Sequence, residues 1–201
     1  MTESNLKKRR MISIMLKAAL LFILIRGIPN ISMEFLFGEY NSETLSAFSS
    51  IVATIQMIVI SLVIAVPIGV FCAIYLTEYA KRGSRVVKII RLAVDTLAGI
   101  PSIVYGLFGM ILFVNILGFR ASILSGICTI SIMILPVLIS TSEEAIKSVP
   151  DMYREGSLGL GATRLRTVFK IVLPAAMPGI LSGVILAIGR IVGETAALIF
   201  T

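Results

Sequence analysis

Two charged side chains, Arg190 and Glu194, stand in the otherwise apolar run 175–200. An arginine at the centre of a membrane helix costs about 2.5–3.5 kcal/mol on insertion scales, so it turns to protein or water rather than lipid. Four residues apart on a helix, the two share a face and lie within pairing distance. At about 100° per residue, Gly179, Gly183, Arg190, Glu194 and Ala197 fall in one narrow band, opposite Ile185, Ile188, Ile191 and Val192. Small residues with one charged pair suit an ion pair that locks helices together, or the lining of a path for a charged solute. The residue types alone leave both open.

Other chemistries are poorly supplied. The chain has no histidine, and its two cysteines, Cys72 and Cys128, sit in apolar segments where a thiol is a small packing group. No Gly-x-x-x-x-Gly-Lys-Ser/Thr run is present, so no P-loop nucleotide site, metal site or other cofactor is expected. Asp95, Glu194 and Tyr105 are acid–base groups that an intramembrane enzyme would use, but they lack a nucleophile–base pair. The expectation is a chain that is not an enzyme.

A second constellation is polar. Arg154-Glu155-Gly156-Ser157-Leu158-Gly159-Leu160-Gly161-Ala162 is followed nine residues on by Ile171-Val172-Leu173-Pro174. Pro150-Asp151 is a helix start, with Asp151 able to cap free amide groups. A short helix over 152–158 is predicted to end in the glycine turn around Gly161, where positive φ is easily reached. A second helix over 163–173 is predicted to stop or kink at Pro174. Helix, tight turn, helix makes either a rigid knob for a partner or an amphipathic surface pair.

The elements that position these groups are membrane helices. Hydrophobic residues make up 57% of the 201 and mean hydropathy is +1.02, beyond what one soluble core needs. Segments 50–75, 97–117, 121–140 and 175–200 approach the roughly 20 apolar residues that cross a bilayer. A fifth, 11–25, is short and carries Lys17, so it spans only if Lys17 snorkels to the head groups or flanking residues extend the helix. It has a signal-like basic start but no small-x-small site after it, so an uncleaved helix is preferred. The expected fold is therefore all-α and polytopic, with about five spans. Residues 1–49 form a tail, a first segment and an external loop; 50–201 form the membrane domain, with a cytoplasmic loop at 142–174.

Basic residues set the orientation. Lys7, Lys8, Arg9 and Arg10, then Lys81, Arg82, Arg85, Lys88 and Arg91, then Lys147, Arg154, Arg164, Arg166 and Lys170 mark cytoplasmic stretches, with the amino end inside. The intervening 29–49 holds Glu34, Glu39 and Glu43 and no basic residue, and the turn near Gly118 has only Arg120. This alternation accounts for the net charge of +7 without a nucleic-acid partner. Val86, Val87, Ile89, Ile90 and Leu92 predict a helix along the cytoplasmic interface within 79–95. Pro67 and Gly69 predict a kink in 50–75, and Gly99, Pro101, Gly106 and Gly109 predict close packing or an interrupted helix in 97–117.

Three stretches resemble one known family. Glu155, Gly161, Ile171, Leu173 and Pro174 fall in register with the "EAA" coupling loop of ABC importer permeases, Gly156 and Ser157 standing where that pattern has alanines. Residues 99–109, Gly-Ile-Pro-Ser-Ile-Val-Tyr-Gly-Leu-Phe-Gly, and 190–196, Arg-Ile-Val-Gly-Glu-Thr-Ala, resemble the phosphate-specific importers, the latter favouring their A-type permease. The resemblance covers about 50–201 and implies a type I ABC importer transmembrane domain in a prokaryotic cytoplasmic (inner) membrane. It implies that Arg190 and Glu194 line the path of inorganic phosphate and that the Glu155 loop couples to the ATPase. The implied partners are a sister C-type permease, ABC ATPase subunits, an external phosphate-binding protein and membrane lipid. Gly179 and Gly183 join the glycines expected at helix contacts. The family usually has a further helix after this point, so a shortened or partial chain is expected. A permease for sulfate or molybdate, or a non-transport scaffold, are the competing readings.

Overall fold

The structure, a computed structural model, describes residues 3–28, 47–81 and 84–201. The acidic stretch carrying Glu34, Glu39 and Glu43, and Arg82, lie outside the described residues. Two compact units are formed, Met1–Ala53 and Thr54–Thr201.

In the first unit lies α1, Glu3–Gly27, with the Arg26 guanidinium 6.0 Å from the Phe22 ring centroid. It carries Lys17 and Arg26, which interrupt its apolar stretch. Among the described residues only three helices are long and apolar enough to cross a membrane, or four if one bent pair counts as a span, and not the five expected. The short, charge-bearing first segment is not among them.

The first of the three begins with α2, Ala47–Ile74, and runs through a π-helical turn, Tyr75–Tyr79. At 33 residues it is about 50 Å long, well over the roughly 30 Å of hydrocarbon, so an end must project. Next, α3, Arg85–Ala98, is amphipathic: Val94 is buried with Leu76 and Ile139, and Val87 and Ile90 pack beside them. The opposite row, Val86, Ile89 and Leu92, is exposed. A helix thus stands where one was predicted, extended to Ala98.

The predicted span 97–117 is broken. Gly99 closes α3 by donating its amide N–H to Asp95, and Pro101 stands before α4, Ser102–Gly109, which continues as a π-helical segment, Met110–Ile116. The two arms meet at 105°. Proline without an N–H cannot extend α3, and a glycine before it frees the backbone to turn. The buried Tyr105 clamps the corner, its hydroxyl donating to the Leu97 carbonyl at 2.6 Å.

The centre of the unit is α5, Ile123–Lys147, started by a Ser122–Ser125 capping box. Buried residues make up 61% of its most apolar stretch, against 28% for the other two crossing helices, so it is the helix the others pack around. Ile130, Met133, Ile134 and Leu138 meet Ala65 of α2 and Tyr105 of α4.

After α5 come α6, Asp151–Gly159, and α7, Arg164–Thr167; a π-helical turn, Val168–Val172, then leads into α8, Leu173–Val192. Pro174 therefore neither ends nor separates the helix: Arg164–Val192 is one run of 29 residues. The Leu173 N–H reaches back five residues to Val168, and this widened turn makes room for the proline ring. The crossing helix ends at Val192 rather than 200, and residues 196–200 form turns. Ile191, expected on the lipid side, is buried, while Ile185 and Val192 are exposed.

Candidate functional site

Helices α5 and α8 run antiparallel at very close range, and glycine is what permits it. A Cβ on Gly179 would come within 2.6 Å of the Ala145 Cβ, and one on Gly183 would collide with the Thr141 hydroxyl. Four residues forward on α8 match four back on α5, the register of two antiparallel helices. Similarly, a side chain on Gly109 would strike Thr129, and one on Gly106 would lie 2.8 Å from the Ala197 backbone. Gly99 instead meets nothing closer than 3.6 Å and serves the corner rather than a contact.

Arg190 occupies the last turn of α8, half-buried, with Ala187 and Ile191 buried beside it and the Tyr105 phenol within electrostatic range. Glu194 lies beyond the helix end, so the expected i,i+4 geometry is absent. Its Oε1 accepts the Ala197 N–H at 2.9 Å and holds the turn that follows. Among the described residues, no carboxylate forms an ion pair with Arg190. A half-buried guanidinium with no ion pair among the described residues presents donors whose planar fork suits an oxyanion.

The polar loop is a knob with a hinge-free base. Gly161 has φ +82°, a left-handed conformation that strains any side chain, and its N–H bonds the Leu158 carbonyl at 2.9 Å. Thr163 caps α7 by accepting the Arg166 N–H, and the buried Ser157 and Thr167 hydroxyls meet at 2.8 Å to tie the two short helices. Glu155 and Gly156 face outward and Leu160 at the tip is 91% exposed. Ile171 and Leu173 are half-buried at the base, and Pro174 is exposed. Asp151 does not cap α6 with its side chain; it accepts from Arg154 at 3.1 Å instead.

Sequence reasoning missed the strut beneath this knob. Arg154 donates to Glu78 at 2.9 Å and to the Val149 and Ile146 carbonyls at 2.7 and 2.9 Å. Glu78 is nearly buried and belongs to the projecting end of the α2 run, 76 residues away. No local pattern announces such a pair. The one available signal was an acidic residue at the end of an otherwise apolar span.

Arg190 and the knob are joined through α8. Glu155 sits before one end of the continuous Arg164–Val192 helix and Arg190 near the other. The structure thus connects, by one rod about 40 Å long, two constellations that looked independent in sequence.

The fold is that of a chain of the MetNI methionine ABC transporter solved in inward-facing conformations, with a TM-score of 0.63 at 20% identity over 89% of this chain and 74% of that one. Among curated proteins, the probable ABC transporter permease protein YqgI of Bacillus subtilis is 36% identical over 184 residues, 90% of this chain and 62% of that protein. The phosphate transport system permease protein PstA 1 of Mycobacterium tuberculosis is 40% identical over 152 residues, 76% of this chain and 49% of it. PstA of Pasteurella multocida is 38% identical over 186 residues, 90% and 65% respectively. The chain spans about half to two thirds of the length of these relatives. Residues 65–201 match the family described as binding-protein-dependent transport system inner membrane component. The chain belongs to that family of multi-pass inner-membrane transport components.

Proposed function

We propose that the chain is a permease subunit of an ATP-driven phosphate importer and that it forms part of the path for inorganic phosphate. The observation that carries this reading is the half-buried Arg190, without an ion pair among the described residues, at the far end of the same helix that begins in the exposed Glu155 knob. The likeness to phosphate transport system permeases supports phosphate as the anion. A planar guanidinium fork suits phosphate oxygens, and it stays protonated in apolar surroundings. By holding the following turn through Ala197, Glu194 fixes the edge of the path and stays off the arginine.

In this mechanism an external binding protein delivers phosphate to a pair of permeases, a sister C-type subunit completing the path. ATP hydrolysis takes place on separate ATPase subunits, which grip the knob at Glu155, Gly156 and Leu160. Closure of the ATPases pushes the knob, and the strut and rod pass that motion to α2 and α8. The basic loops around Lys88 and Arg164 face the cytoplasm.

Labelled-phosphate uptake tests the substrate. In cells lacking their own high-affinity importer, the chain is co-expressed with its partner subunits and challenged with excess sulfate. Uptake that resists sulfate supports the reading; uptake that sulfate suppresses as well as unlabelled phosphate does would make the chain a permease for another oxyanion.

A further inference from the structure

A cleft of about 760 Å³ opens between α3, the projecting end of the α2 run, the end of α5 and the α6–α7 knob. Six cations line it, Lys81, Lys88, Arg91, Lys147, Arg154 and Arg164, against two carboxylates, Glu78 and Asp151. Some of that charge is spent locally. Arg91 and Lys147 both reach one Glu143 oxygen at 2.6 Å, and Arg154 is held by Glu78 and Asp151. Lys81, Lys88 and Arg164 form no ion pair among the described residues. Three like charges gathered in one concavity repel one another unless an anion sits between them.

The surroundings say which anion. The cleft borders α3, whose outer row of Val86, Ile89 and Leu92 is 51%, 66% and 68% exposed. On an interfacial helix that row enters the acyl region, while Lys88 and Arg91 on the same helix stay at headgroup level. A ligand carrying a phosphate head and hydrocarbon tails matches both surfaces at once. We infer that this cleft binds the headgroup of an anionic phospholipid, with its acyl chains along Val86, Ile89 and Leu92.

The lipid joins three elements beside the Arg154–Glu78 strut: α3 through Lys88, the α2 end through Lys81, and the knob through Arg164. It therefore steadies the base of the knob against the membrane surface. Nothing in this site depends on which solute the permease carries.

Native mass spectrometry of the purified full chain, exchanged into micelles with phosphatidylglycerol or phosphatidylcholine, tests the inference. The wild type is expected to retain phosphatidylglycerol preferentially. Lys88→Gln combined with Arg164→Gln is expected to lower that retention roughly tenfold, since each cation near an anionic lipid contributes appreciably. Lys88→Arg keeps the charge and should keep the lipid, and Arg166→Gln, outside the cleft, should leave it bound. Equal retention of the two lipids would overturn the inference, as would equal loss in Arg166→Gln. So would displacement of the lipid by inorganic phosphate alone at matched concentration, which would make the cleft a site for the free anion.

Discussion

Arg190 illustrates how a single side chain acquires meaning from its neighbours. Had Glu194 paired with it, the two would neutralise each other and lock the helix end; with Glu194 bonded to Ala197, the guanidinium keeps its donors. Arg190→Gln is therefore expected to cut phosphate uptake at least about tenfold while the complex still assembles, and Arg190→Lys to recover only part, because an ammonium lacks the planar fork. Uptake assays alongside a pull-down of the partner subunits check both. The turn at Gly161 gives a backbone prediction. Gly161→Ala forces a side chain into the left-handed region and should destabilise the knob by about 1 kcal/mol, with Gly161→Asn milder. Thermal unfolding of the two variants in one detergent measures the difference.

At the scale of elements, the strut and the α5–α8 contact are the joints that matter. Arg154→Met leaves Glu78 nearly buried without its cation, a change that typically costs about 3–5 kcal/mol. A Glu78→Gln partner change should restore part of the loss, which a double-mutant cycle by unfolding would detect. Gly183→Val should separate α8 from α5 by collision with Thr141, costing about 1–3 kcal/mol. Much of this was legible beforehand. The interfacial row of α3, the glycine turn of the knob and the apolar runs of α2 and α5 all follow from spacing and residue type. The rest was hidden for physical reasons. Pro174 signals a helix end, but a widened turn absorbs it. The apolar residues after Val192 look like more helix, yet Gly193 and the Glu194–Ala197 bond turn the chain. Hydropathy cannot tell a long span from one that breaks at Gly99 and Pro101, and it cannot pair Arg154 with Glu78.

For the whole molecule, the proposed function amounts to a lever. The knob is exposed, its base is held to the α2 run by Arg154, and one continuous helix runs from its base to Arg190; in the proposed mechanism that helix carries the knob's displacement. A lever of this kind separates two failures that uptake alone would merge. Damage at the knob should stop the coupling of ATP hydrolysis to transport, and damage at Arg190 should spare that coupling but weaken passage of the anion. The most direct measurement is therefore paired: phosphate uptake and ATPase rate in proteoliposomes holding the assembled transporter, for wild type, Glu155→Lys and Arg190→Gln. Glu155→Lys is expected to abolish both uptake and substrate-stimulated hydrolysis, whereas Arg190→Gln is expected to cut uptake and retain substrate-stimulated hydrolysis. Normal uptake through Arg190→Gln, or full coupling in Glu155→Lys, would contradict the lever.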